Sequence, residues 1–280
     1  MIGQGQASPW ATLALLGLAI AAIGIAWQLG YSHTVFVPPP ADVWEEIREL
    51  VGTSSTYDAI LDSLVRLAAG MAIGTGLGLV AGLAGIYSSR LEGIARAYTR
   101  ITFVIPSLMA AFLALVVFGI SSIGVIVTVA VIVFPFVTTP ILDGVSSRDR
   151  SLDQMTQVYR ASRFQQVRHV VLPYITPYLI SGVRNAHSLG WRILIVAEVF
   201  SVRSGIGYQF HVAFDTFRLA EVLAWLLFLL IVIGAIEFAV LRPLEDWTLR
   251  WRRTGTRGGG RRPGRTLLHP TRRRPQVGAT

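Results

Sequence analysis

Apolar residues run along this chain in six long blocks, at 10–29, 67–86, 101–119, 123–142, 175–200 and 219–241. A helix crossing a bilayer needs about 20 such residues, so each block predicts one transmembrane helix. The first block carries no charge, and the nine residues before it hold no Lys or Arg. A cleaved leader has a basic flank and a shorter apolar core, so the expectation is a retained helix. The second block places Gly70, Gly74, Gly78 and Gly82 at four-residue spacing. Such a stripe lets two helix backbones approach closely in lipid. Only Ile120-Ser121-Ser122 separates the third block from the fourth, which predicts a tight hairpin. Those two blocks contain Pro106 and Pro135, whose missing backbone hydrogen bonds have to be made good by neighbouring helices. The fifth block differs from the rest: it holds Arg184, His187, Arg192 and Glu198.

The polar intervals orient the blocks. Arg90, Arg96 and Arg100 follow the second block, Arg148, Arg150, Arg160, Arg163 and Arg168 follow the fourth, and Arg242 follows the sixth. The interval before the second block is acidic, with Asp42, Glu45, Glu46, Glu49, Asp58 and Asp62. The positive-inside rule then puts both termini in the cytoplasm, and an even number of spans requires the same. In the acidic outer interval, Pro38-Pro39-Pro40 precedes Val43, Trp44, Ile47 and Leu50 at helical spacing. That pattern predicts a short amphipathic helix at the outer interface over 41–50.

Composition agrees. Hydrophobic residues make up 52% of the chain, charged residues 15%, and the mean hydropathy is +0.56. Soluble domains carry about 25% charged residues, and so few charges cannot cover a water-exposed surface of this size. The chain has no cysteine, which excludes disulfides, thiolate metal sites and cysteine nucleophiles. The net charge of +9 belongs to the C-terminus: ten of the 25 basic residues lie at or beyond Arg250, where no acid occurs. From Thr254 onward the chain is mostly Gly, Pro and Arg. The expected division is a transmembrane domain over 1–253 and a disordered basic tail over 254–280 that can meet anionic lipid; nucleic acid is not an expected partner.

The longest basic interval contains Asp153 to Pro173, reading DQMTQVYRASRFQQVRHVVLP. Leu152, Met155, Val158 and Tyr159 recur at helical spacing, and so do Phe164, Val167, Val170 and Val171. Two short helices are expected, Ser151 to Tyr159 and Arg163 to Val171, each with one apolar face. Physics leaves two uses open: an interfacial helix beside acidic lipid, or a docking surface for a cytoplasmic protein.

This segment resembles the cytoplasmic loop of binding-protein-dependent ABC importer permeases, whose pattern is EAA, three residues, Gly, nine residues, then Ile-x-Leu-Pro. Val170-Val171-Leu172-Pro173 fill the final element. Arg160 stands at the glycine position, and Gln154-Met155-Thr156 stand where the EAA triplet would be. Ala161-Ser162-Arg163-Phe164-Gln165 resemble the corresponding stretch of the nitrate, sulfonate, taurine and bicarbonate branch. The same order of resemblance continues through Ser63, Arg66, Ile105-Pro106, Gly182, Arg184, Ala186, Trp191, Ala197-Glu198 and Gly205-Ile206-Gly207-Tyr208. It implies an all-α fold of the type I importer permease kind, with six spans and a coupling loop between helices 4 and 5. It further implies that Gln154, Met155, Thr156, Val158, Tyr159, Arg160, Ala161, Ser162, Leu172 and Pro173 form that ATPase-coupling loop. The implied partners are two copies of an ATP-binding subunit, a second permease copy or paralogue, and an extracytoplasmic solute-binding protein. The implied solute is nitrate, a sulfonate such as taurine, or a similar small anion, and the implied location is the cytoplasmic membrane of a prokaryote. A glycine at the Arg160 position would supply a tight turn by tolerating positive φ. Arg160 does not, and leaves three readings open: an ion pair with an acidic residue of the partner, weakened coupling, or a specialised subunit paired with a more typical one.

Arg184, His187 and Glu198 are costly at lipid depth and are candidates for the translocation path or a gate. The other reading is structural pairing within the bundle, which extends to Glu237 in the sixth block. The five histidines have no metal-like spacing, and there is no lysine and so no phosphate-binding loop of the Gly-Lys-Ser/Thr kind. No cofactor or metal is expected on this chain, ATP is expected to be used by a partner subunit, and the subunit is expected to be non-catalytic. The alternative class is a secondary transporter or channel that couples to ions through the same Arg, His and Glu.

Overall fold

The computed structural model describes residues 37–146, 162–243 and 248, with Leu18, Ala22, Gly24, Ile25, Trp27, Gln28 and Gly30 from the first block. Every regular element among the described residues is helical. Helix α1 is Pro40–Gly52, α2 Ser54–Tyr87, α3 Ser89–Val104, α4 Ser107–Phe118 and α5 Ser122–Ser146. A helical turn, Arg163–Gln166, and a π-helical turn, Val167–Val171, run without a break into α6, Leu172–Ser201. Helix α7 is Ile206–Asp215, and α8, Leu219–Ile236, continues as a second π-helical turn, Glu237–Leu241.

Helix α5 is the centre of the bundle, packed on one side against α2 and on the other against α6. The α2 contact is set by the glycine stripe. A Cβ on Gly74 would lie 2.7 Å from the Ala130 carbonyl oxygen, and one on Gly82 would lie 2.6 Å from Ile141 Cγ2. Gly70 and Gly78 press on Val129 and Val137 in the same way, so α2 and α5 run parallel in steps of four residues. Thr138 adds a polar tie, its Oγ1 lying 2.8 Å from the Phe134 carbonyl and 3.4 Å from that of Gly78. On the other side, Gly182 of α6 sits against the Phe136 carbonyl and Pro140, and Gly190 against Leu67, Met71 and Val133, which makes α6 antiparallel to α5. The core between them is aliphatic: Val125, Val129, Val133, Val137, Ile175, Ile193 and Leu194 are all buried, with Trp191 among them.

Three described helices are long and apolar enough to cross a membrane, Ser54–Gly85, Ser122–Gly144 and Leu219–Leu241. Ser89–Val104 and Leu108–Phe118 pass the same test only as a pair, bent by 103°. The block at 101–119 is therefore divided: the chain turns at Ile105–Pro106, where proline starts a helix better than it continues one. Helix α6 has 30 residues, enough for about 45 Å, but carries Arg184, Arg192 and Glu198. Helix α2 begins well before the predicted 67–86 block, adding three turns on the acidic side. The predicted 41–50 helix is α1, started by Pro40 in its first turn and docked through buried Val43 onto α8. Its Trp44 stays exposed, with the Arg48 guanidinium 5.4 Å from the ring centre.

Candidate functional site

The predicted coupling loop falls in two parts. Gln154, Met155, Thr156, Val158, Tyr159, Arg160 and Ala161 lie outside the described residues, and so does the tail over 254–280. Ser162 lies inside them and starts the helix that becomes α6. Its Oγ accepts from the Gln165 N–H at 3.3 Å, while its own N–H donates to Gln165 Oε1 at 2.9 Å. This is a reciprocal capping box, written in the sequence as Ser-x-x-Gln. Phe164 is 70% exposed one residue before the cap closes, while Val171 is buried against the core. Leu172 and Pro173 do not end a helix, as the predicted Arg163–Val171 helix would require. They continue the helix into α6, and Pro173, which has no N–H to donate to the turn before it, lies just past the π-helical turn Val167–Val171. The result is one continuous helical run from Arg163 to Ser201, with the π-helical turn at Val167–Val171, Pro173 and Pro177 as the places where it can bend.

At the opposite end of α6 the structure gathers residues that are far apart in sequence. Glu198 is fully buried. Its Oε1 takes a 2.8 Å bond from Arg66 Nη1, and its Oε2 accepts from Ser63 Oγ at 2.7 Å and from the Gly207 N–H at 3.0 Å. Ser63 Oγ in turn accepts the Ile206 N–H at 2.8 Å. Arg66 also reaches Ser122 Oγ, the Ser204 carbonyl, Ser204 Oγ and, at the rim, Asp62. A buried carboxylate and a buried guanidinium are tolerable only when paired and fully hydrogen-bonded, and here both conditions hold. The node ties α2, the start of α5, the end of α6 and the first residues of α7 into one body. Gly205 makes it possible: its φ is +103°, and a Cβ there would lie 2.5 Å from Glu198 Oε1. A Cβ on Gly207 would lie 2.7 Å from Glu198 Cβ.

The three candidate path residues are therefore not one cluster. Glu198 belongs to this node. His187 is buried on α6 and accepts a 3.2 Å bond from Trp191 Nε1. Arg184 forms a 2.6 Å ion pair with Glu237 at the far end of α8. Arg184 and Glu198 are fourteen positions apart on α6, about 21 Å along its axis. Between them a groove of about 570 Å³ opens between α6 and α8, lined by His187, Ser188, Trp191, Arg192, Glu237 and the apolar face of α8. Among the described residues no group of three or more His, Cys, Asp or Glu could hold a metal ion.

Comparison with known proteins bears directly on this arrangement. The profile of the family described as "binding-protein-dependent transport system inner membrane component" matches residues 74–244, more than half of the chain. The chain belongs to this family. It is a permease subunit, and its multi-pass architecture places it in an inner membrane. A putative aliphatic sulfonates transport permease of Bacillus subtilis is 28% identical over 241 residues, covering 84% of this chain and 87% of that protein. The taurine transport system permease of Escherichia coli is 27% identical over 221 residues, covering 76% and 80%. These are the relatives that the sequence motifs pointed to. Among solved structures, the MetNI methionine ABC transporter in an inward-facing conformation matches with a TM-score of 0.56 at 17% identity, over 67% of this chain and 94% of that one, which shows a shared fold.

Within the permease, sequence reasoning had the members of the buried node in hand without joining them. Ser63, Arg66 and Gly205 to Tyr208 entered only as marks of resemblance, and Glu198 as a path residue. One signal was available. Ser63 and Arg66 are three residues apart, so they share a helix face at the edge of the second block, and a charge held there needs an opposite charge. Glu198 was an available acid at the matching edge of an antiparallel helix.

Proposed function

We propose that this permease forms the translocation path for a small organic sulfonate of the taurine kind, handed over by an extracytoplasmic binding protein and driven by two copies of a separate ATP-binding subunit. The solute class rests on the likeness to the sulfonate and taurine permeases over most of their length. The observation that carries the mechanism is the unbroken helix from Ser162 to Ser201. It connects the motif-bearing loop, on one side, to the Glu198–Arg66 node on the other. A movement imposed at 153–162 thereby reaches the far end of the bundle through one helix, because close-packed cores transmit displacement rather than absorb it. The chain itself performs no covalent chemistry and binds no cofactor; ATP is consumed by its partners. A second permease copy or a paralogue completes the path, both termini face the cytoplasm, and Asp153 to Phe164 is the docking segment. In that segment Met155, Val158 and Tyr159 provide the apolar face.

The test is coupling. Tyr159→Asp puts a charge into an apolar contact, at a cost of several kcal/mol when fully buried. The complex carrying it is expected to insert in the membrane normally yet lose ATP hydrolysis stimulated by the solute-loaded binding protein. Full stimulation in that variant would show that the loop is not where the ATP-binding subunit docks.

A further inference from the structure

Helix α6 has two faces within the membrane. One is buried in the bundle and carries Gly182, Ala186, Gly190, Ile193, Leu194 and Ala197. The other is exposed and polar, with Asn185, Ser188 and Arg192 following one another a turn apart. These positions lie about 19 to 30 Å along a helix about 45 Å long, well inside a hydrocarbon core of about 30 Å. Exposed polar side chains at that depth do not face acyl chains; they face water or protein. The charges of the neighbouring groove are also unequal. Arg184 is neutralised by Glu237. Arg192 has no hydrogen bond or ion pair among the described residues, although it lines the same groove. Opposite it stand the aliphatic side chains Leu229, Leu230 and Ile233 of α8. The groove thus offers one uncompensated positive charge beside an apolar wall, with a volume within the range of small-molecule sites, about 300–1,000 Å³.

We propose that the Asn185–Ser188–Arg192 face of α6 lines the water-filled solute path, and that Arg192 contacts the anionic head of the solute while the α8 wall covers its alkyl part. The fitting chemistry is a small organic monoanion with a sulfonate group, since a guanidinium presents several donors in a fixed fork to such an oxyanion. The inference rests on the permease reading and names the residue that sets its charge preference. It gives the charge contact to Arg192 rather than to Glu198, whose carboxylate is taken up by Arg66, Ser63 and the Gly207 N–H; His187 lines the same groove.

Charge-selective labelling tests it, since the chain has no native cysteine to interfere. Ser188→Cys in the assembled importer is treated with the anionic reagent sulfonatoethyl methanethiosulfonate and with its cationic trimethylammonium analogue, from each side of the membrane. Ile231→Cys, on the exposed apolar face of α8, is the lipid-facing control. The expected result is reaction at Ser188→Cys from at least one side, faster with the anionic reagent, and silence at Ile231→Cys. Adding Arg192→Gln should lower the anionic preference about tenfold, the scale on which a local charge alters the entry of ions into a cleft. Arg192→Lys should keep the preference. Silence of Ser188→Cys toward both reagents would mean that lipid or a second copy covers this face, and would overturn the proposal. So would reaction without charge preference, or a preference that survives Arg192→Gln. Failure of the permease reading looks different: uptake by the unmodified complex would proceed without ATP, whatever the labelling pattern.

Discussion

At the scale of single residues, the Glu198–Arg66 pair is the most demanding feature of the structure. Both side chains are buried, and each is satisfied by the other together with Ser63, Ser204 and the Gly207 N–H. Removing one partner strands a charge, so Arg66→Met should cost about 3–5 kcal/mol, while replacing both at once should cost less than either alone. Thermal unfolding of the purified permease in detergent, for the two single variants and for Arg66→Met with Glu198→Leu, checks this. Equal losses in the singles and a larger, additive loss in the double would show that the pair is not acting as a unit. The node also shows where sequence reasoning stops. Glu198 was visible as an intramembrane charge, and its cost at lipid depth required a partner. Which partner depended on how α2 lies against α6, and that is fixed by packing rather than by any local pattern. Gly205 was visible as part of a motif. That its φ of +103° admits the carboxylate beside it emerges only from the folded loop.

The helices were more legible than their contacts. The apolar blocks gave α2, α5, α6 and α8 to within a few residues at most ends, because length and hydropathy in lipid leave little choice but a helix. The block at 101–119 was the exception: composition cannot reveal that a proline-initiated turn splits it into two helices bent by 103°. Most of the first block and most of the coupling loop lie outside the described residues, so their expectations stand as they were made. The glycine stripe was read as a close-approach surface, and α2 uses it in that way along α5. Its consequence can be measured by a matched pair of substitutions. Gly74→Ala places a methyl 2.7 Å from the Ala130 carbonyl oxygen, a backbone atom that cannot swing aside. Gly76→Ala, half a turn away, meets nothing within 4 Å. Gly74→Ala is expected to lower stability by about 1–3 kcal/mol through overpacking, and Gly76→Ala to leave it unchanged or raise it by up to about 1 kcal/mol through helix propensity. If both behave alike in thermal unfolding, the α2–α5 contact is not as close as described.

For the whole molecule, the asymmetry of arginines predicts the orientation in the membrane. Glu45 on α1 should face outward and Arg163 at the start of the helical run into α6 should face the cytoplasm. With no native cysteine, Glu45→Cys should react with an impermeant thiol reagent in intact cells and Arg163→Cys only after lysis. The reverse pattern would invert the topology. The more direct question is what powers transport, because the importer and the gradient-driven transporter predict opposite requirements. Proteoliposomes holding this permease with its ATP-binding subunit, and the solute-binding protein outside, can be followed for uptake of radiolabelled taurine or a related sulfonate. The account predicts uptake only when ATP is enclosed and binding protein is present, with no response to an imposed ion gradient. Uptake that persists without ATP and follows the gradient would contradict it.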